Sequence, residues 1–220
     1  MMRWTNVVAI LALASTTLWA ADDKVRSIRF GKDDVGKVPA GWKAEKTGKG
    51  DGSVWKVIQD DTAPSKTGLA LAQTAESPGN VFNICVVDDS KYKDVELSVA
   101  FKAIRGKKDQ GGGFVWRYQD QNNYYICRMN PLEDNYRVYK VVQGVRTQLG
   151  QEGTKEDLKV PVGEWHRLKV TMAGDHIQCY LDGNKVLDVK DSTYKDAGKV
   201  GLWSKADAQT HFDEFKVSGK

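Results

Sequence analysis

Arg117, Arg128 and Arg137, interleaved with Tyr124 and Tyr139, are the residues whose types and spacing could do chemistry in this chain. Guanidinium groups donate charge-assisted hydrogen bonds in a planar fork, and tyrosine and tryptophan rings offer flat apolar surfaces. All five lie in residues 111–142, where Asp120-Gln121-Asn122-Asn123 and Pro131-Leu132-Glu133-Asp134 separate three runs rich in aromatic and β-branched residues. That pattern predicts a three-stranded antiparallel meander. Placing Gln119 opposite Tyr124 sets Arg117 against Ile126 and Val115 against Arg128. Placing Asn130 opposite Asn135 sets Arg128 against Arg137 and Ile126 against Tyr139. Side chains alternate along a strand, so Phe114, Trp116, Tyr118, Tyr125, Cys127, Met129, Tyr136 and Val138 share a face that reads as core.

The opposite face gathers Arg117, Tyr124, Arg128, Asn130, Arg137 and Tyr139. Like charges on neighbouring strands repel, so this face calls for a compensating acid, either a ligand or a loop carboxylate such as Glu133. The competing reading is a wet surface whose arginines pair with local acids, and whose rings are edge packing. A one-residue slip would exchange the two faces.

Other chemistries lack their residues. A glycosidase needs two carboxyl groups flanking the scissile bond, and the strands of the polar face carry none in their middle. No GxSxG elbow or HExxH helix occurs. Gly111-Gly112-Gly113 precedes a strand and reads as a flexible lead-in, not a phosphate cradle. The three histidines, His166, His176 and His211, lack zinc-site spacing. Asp33, Asp34 and Asp213 are the grouping that could serve calcium, with solvated turn acids the favoured reading; no cofactor is expected otherwise. Cys85, Cys127 and Cys179 form no CxxC pair and read as buried thiols. The formal charge of +4 comes from scattered lysines, which does not argue for nucleic acid.

These residues need a scaffold of strands. Residues 27–30, 55–58, 69–74, 80–87 and 95–104 precede the meander as strand candidates. Residues 145–150, 165–172, 177–181, 185–189, 200–204 and 211–217 follow it, with hairpin turns at Gly174-Asp175 and Asp182-Gly183-Asn184. Residues 31–49 read as a turn with Trp42 as an aromatic plug, and residues 194–197 as one helical turn. Residues 1–20 read as a secretory signal: Arg3 supplies a positive start, residues 7–18 an apolar stretch too short for a comfortable span, and Ala20 a small residue for cleavage. Residues 21–220 then form a single all-β domain in a secreted or periplasmic protein, with no membrane contact once the signal is removed.

The stretches FVWRYQDQNNYYICRMNPLEDNYRVYKVVQGVRTQL, EWHRLKVTMAGDHIQCYLDG and AGKVGLWSKADAQTHFDEFKV, with PAGW near the start, resemble the concanavalin A-like lectin/glucanase superfamily. Within it they look nearest to secreted 3-keto-disaccharide hydrolase-like domains and laminin-G-like modules. The resemblance implies a jelly-roll sandwich of two antiparallel sheets with the ligand in the concave face of one. It places Arg117, Tyr124, Arg128 and Asn130 in that groove, and Trp203, Lys205 and Asp207 at its rim. No strand carries the alternating Glu-x-Asp-x-Glu of the glucanase branch. Leu202-Trp203-Ser204-Lys205 stands where the hydrolase-like branch has a Gln- and His-bearing motif.

Three functions follow as expectations. The first is a domain that binds a glycan, acidic or oxidised, by stacking on Tyr124, Tyr139 and Trp203 and hydrogen bonds from Arg117 and Arg128. The second is an enzyme cleaving a 3-keto-type or other glycoside, with Tyr124, His166, Glu133 or Asp207 as candidate base. The third is a non-catalytic protein-interaction module using the same face.

Overall fold

The structure, a computed structural model, describes residues 24–150 and 158–220. The predicted signal segment therefore lies outside the described residues. Fifteen strands follow one another: β1 (Arg26–Ile28), β2 (Trp42–Thr47), β3 (Trp55–Gln59), β4 (Leu69–Gln73), β5 (Phe82–Val87), β6 (Val95–Arg105), β7 (Gly112–Asp120), β8 (Asn123–Asn130), β9 (Asn135–Val142), β10 (Val145–Leu149), β11 (His166–Ala173), β12 (His176–Leu181), β13 (Asn184–Lys190), β14 (Lys199–Lys205) and β15 (Gln209–Gly219). Strand pairs are antiparallel and build a jelly-roll sandwich of two sheets. The back sheet runs β13-β12-β11-β6-β15-β4-β3, with β1 added to β15; the front sheet runs β10-β9-β8-β7-β14-β5-β2.

Alternation decides what fills the space between them. Phe114, Trp116, Tyr125, Cys127, Met129, Tyr136 and Val138 of the front sheet meet Leu97, Val99, Phe101, Leu168, Val170, Phe212 and Phe215 of the back sheet in one core. Each such side chain, fully buried, contributes about 1.5–3 kcal/mol. Gly112 permits the close approach of the sheets here, since a Cβ on it would stand 2.4 Å from the Phe101 ring. The three-glycine run thus opens a packed strand, not a flexible lead-in. Cys85, Cys127 and Cys179 are buried and unpaired.

The second hairpin of the meander has the predicted register, with Asn130 opposite Asn135, Arg128 opposite Arg137 and Ile126 opposite Tyr139. The first does not. Val115 faces Ile126 and Gly113 faces Arg128, a displacement of two residues that leaves the faces unexchanged. The slack is taken up in a bulge between Trp116 and Asp120, where Arg117 adopts a left-handed φ of 43°. Bulges bend a strand and re-aim its side chains. Tyr118, predicted for the core, crosses to the outer face. Residues 42–47, read as part of a turn, form edge strand β2 instead, and residues 194–197 are not helical. Among the described residues no helix is long and apolar enough to cross a membrane.

Candidate functional site

The outer face of the front sheet is a curved hollow with a packed floor, along which Phe82, Ile84, Val115, Ile126, Tyr139 and Trp203 lie buried. Arg146, on edge strand β10, holds its guanidinium carbon 4.4 Å from the Tyr139 ring, 5.1 Å from the Phe82 ring and 5.9 Å from the Trp203 ring. Phe82 lies on β5, five strand spacings from β10. A flat sheet would separate those strands by about 24 Å, at about 4.8 Å per spacing. Two side chains cannot bridge that gap, so the sheet curls toward its outer side. Across its floor, Gly113 on β7 separates Trp203 on β14 from Arg128 on β8 and leaves a gap in the row of side chains. A Cβ there would stand 2.0 Å from the Cys127 carbonyl oxygen, which confines the position to glycine.

One end of the hollow is closed by apolar packing. Val86, Val115, Ile126 and Val141 surround Tyr124, whose ring stacks on Tyr118 with centroids 5.6 Å apart. Tyr124 shares a 2.6 Å hydrogen bond with the Thr47 hydroxyl of β2, and burial pushes its phenol pKa well up. Tyr124 is thus wholly buried and offers no free stacking surface.

The other end is polar. Arg128, 1% exposed, donates to the Glu133 carboxylate at 2.8 Å, to the Asn135 side-chain carbonyl and to the Tyr139 hydroxyl. Arg137 opposite it lies 4.0 Å from the same carboxylate, so Glu133 is the compensating acid that the arginine pair required. Burial alone would raise the Glu133 pKa; Arg128, Asn135 and Arg137 outweigh it and hold it at about 2. Asn130 accepts the backbone N–H groups of Gln110 and Leu132 through its carbonyl oxygen. Asp109 lies just before β7, 1% exposed, with Lys205 3.3 Å from its Oδ2. A Cβ built on Gly111 would touch both Asp109 Oδ1 at 2.8 Å and Arg128 Cδ at 3.2 Å, which places the two side chains at one spot.

Buried polar atoms without partners converge here. Arg128 Nε, Asn130 Nδ2, Arg146 Nη1, Trp203 Nε1 and Asp109 Oδ2 are five of the seven such atoms among the described residues. The indole N–H of Trp203 points toward the Tyr124 hydroxyl without closing a well-directed bond, and Lys205 reaches Asp109 only as a charge contact. A buried group left unpaired costs about 1–3 kcal/mol, so such a cluster demands a reason.

The predicted residues divide accordingly. Arg128, Asn130, Tyr139, Trp203 and Lys205 are brought together, but the rings of Trp203 and Tyr139 are covered like that of Tyr124 and offer no open stacking surface; Arg137 sits at their edge, and Tyr124 belongs to the packed end. Arg117 is elsewhere, a correction that follows from the bulge. Its guanidinium is buried at the end of the sandwich, donating to the carbonyls of Lys93 at 2.7 Å, Tyr194 at 2.5 Å and Gly174 at 2.7 Å, with Asp94 at 3.5 Å. Asp207 accepts the backbone N–H groups of Lys107, Lys108 and Asp109. Burial would raise its pKa, but those donors bring it down, so it anchors the loop that presents Asp109. His166 pairs with Asp182 on the back sheet. Of the acids read as calcium candidates, Asp34 accepts the Gly31 N–H and Asp213 those of Ser65 and Glu214. No cluster of three or more metal-ligating side chains occurs among the described residues. Sequence reasoning missed Arg146 and Asp109; the alternation of Val145–Leu149 put Arg146 within reach, whereas nothing local marks Asp109.

Residues 33–218 match the 3-keto-alpha-glucoside-1,2-lyase-like domain. The chain belongs to this family. No curated protein matches it. Among solved structures it is similar to the carbohydrate binding module CBM66 from Bacillus subtilis, at 19% identity and TM-score 0.66, over 81% of this chain and 96% of that one. A Bacillus subtilis protein of unknown function with a galectin-like fold is 14% identical, at TM-score 0.57 over 86% and 91%. Domain 4 of AbnA, a GH43 extracellular arabinanase from Geobacillus stearothermophilus in complex with arabinotriose, is 12% identical, at TM-score 0.53 over 80% and 82%. At these identities the family shares its fold with those domains, and nothing finer passes between them.

Proposed function

We propose that this protein binds a carbohydrate in the hollow of the front sheet. The observation that carries this reading is the convergence of N–H groups without partners from Arg128, Asn130 and Arg146 beside the edge of the largely covered Tyr139 ring. Sugar sites combine a few convergent polar groups with aromatic surface. The similar carbohydrate binding module and the arabinanase domain in complex with arabinotriose agree with it in kind. Residues 1–20 would export the chain to the periplasm or beyond, where glycans are met. A glycan array probed with the full chain tests the reading. Signal that Arg128→Ala abolishes, with the melting transition still cooperative, supports it; an array silent for the unaltered chain overturns it.

A second reading is favoured by the family and by Asp109. In a 3-keto glycoside the hydrogen on carbon 2 is acidified by the ketone. A carboxylate can take that proton while the C1–O bond breaks, the electron pair leaving with the aglycone oxygen as a carbon–carbon double bond forms. Asp109 is buried with one oxygen unpaired and Lys205 beside it. Its Oδ1 accepts the Gly111 N–H and its Oδ2 faces the Lys205 ammonium without a directed hydrogen bond, whereas Tyr124, His166, Glu133 and Asp207 are engaged in directed hydrogen bonds. The Arg128 and Arg146 N–H groups would hold the developing enolate oxygen. Elimination from a 3-keto-disaccharide that Asp109→Asn reduces by about 100-fold or more, the range of a lost general base, would favour this reading over binding alone.

A further inference from the structure

The cations on this face are not all matched at close range among the described residues. Arg128 is matched by Glu133 at 2.8 Å and Lys205 by Asp109 at 3.3 Å. Among the described residues Arg146 has no carboxylate within ion-pair distance and its Nη1 has no hydrogen bond, although Asp109 and Glu133 act on its charge from further off. Its guanidinium is nevertheless held, framed by Phe82, Tyr139 and Trp203. Three rings around one cation fix its plane and keep water off its faces. Burial works against the charged form here, and arginine stays charged regardless. A half-buried, ring-framed cation with no close carboxylate among the described residues stands on the same face as the other unpaired groups.

The hydrogen-bonding balance is just as one-sided. With the Trp203 indole directed at the Tyr124 hydroxyl, the open atoms are three N–H donors, from Arg128, Asn130 and Arg146, against one acceptor, Asp109 Oδ2, which Lys205 already faces. A neutral pyranose presents hydroxyls, which both donate and accept, and it is best met by a wall offering both. An ionised carboxylate only accepts, and its two oxygens match the two parallel N–H groups of a guanidinium.

We infer that the ligand is an acidic saccharide whose uronic acid carboxylate docks on Arg146, with Arg128 and Asn130 donating to its remaining acceptor oxygens. This rests on the reading that the hollow binds carbohydrate. The test is calorimetric titration of the full chain with oligogalacturonates, glucurono-oligosaccharides and alginate oligosaccharides. Each is offered as the free acid, as its methyl ester and beside the corresponding neutral oligosaccharide. At least one acid binds about 10-fold or more tightly than its ester, the scale of one charge-assisted contact. That preference disappears in Arg146→Gln, is partly kept in Arg146→Lys, and is untouched by Lys169→Gln on the back sheet; unchanged melting of the Arg146 variants shows that they fold. Neutral oligosaccharides binding as well as the acids would overturn the inference while leaving carbohydrate binding standing. Binding of none of them, together with a silent glycan array, would overturn both. An acid preference that survives in Arg146→Gln would remove Arg146 from the role.

Discussion

The outer faces of the two sheets each hold a buried cluster of charged residues, and the clusters differ in whether they are complete. On the back sheet, Lys102 and Asp60 form an ion pair with side chains only 8% and 6% exposed. His211 adds a 2.7 Å bond to the same carboxylate, and Thr62 receives a hydrogen bond from Lys102 while donating to Asp60. Trp165 lies over the ammonium and bonds Thr62 in turn. Further along that sheet Asp188 gathers His176, Gln178 and Lys185. These groups answer one another, and loop residues 60–68 are locked down as a result. On the front sheet, Arg128, Arg146, Asn130 and Asp109 retain open bonding positions. A polar cluster that is satisfied internally stabilises the fold; one left incomplete stores the free energy of a bond that something else must form.

The contrast can be broken by mutation. The largest effect is expected from Lys102→Ala, which strands Asp60 in a buried site. Denaturant unfolding should show a loss of about 3–5 kcal/mol, the usual result of removing one partner of a buried pair, with glycan affinity unchanged in the folded fraction. An affinity loss there would mean that the back-sheet cluster is not purely structural. The reverse pattern is expected from Arg146→Met. It removes a half-buried cation with no close carboxylate among the described residues, so stability should hold or rise by about 1 kcal/mol while acid-glycan binding falls at least 10-fold. A stability loss above that scale would show Arg146 to be a strut. The smallest effect concerns acid. Glu133 has its pKa at about 2 when folded against 4.5 ordinarily, so its ion pair stabilises fully above pH 4.5 and is lost as pH falls through about 2. Its side chain is 41% exposed, which makes the contribution modest. Glu133→Gln should flatten the acid limb of a stability-against-pH curve over that window, and an unchanged limb would show that Arg128 does not depend on it.

Much of the site was legible along the chain. The turn Pro131–Asp134 closes its hairpin with few alternatives, so Arg128, Arg137 and Tyr139 were placed correctly opposite their partners. Glu133 was identifiable as the acid because it sits in that same turn. Arg117 looked equivalent to Arg128 by the same alternation and is not, because β7 has three residues, Arg117, Tyr118 and Gln119, where β8 has Tyr124 alone. The bulge is held by the carbonyls of Lys93, Gly174 and Tyr194, residues from three distant loops. Asp109 is set in place by Asp207, about a hundred positions away.

The sequence by itself determined which residues of the meander face the core, Tyr118 at the bulge excepted, because a strand repeats every two residues and a hairpin turn needs only its neighbours. It also determined that Arg128 and Arg137 stand side by side. Tertiary structure alone decided that Arg146 replaces Arg117 in the hollow and that Asp109 joins it. Those outcomes depend on how far the front sheet curls and where its bulge is caught. Both are set by contacts between segments far apart in the chain, which no local period can encode.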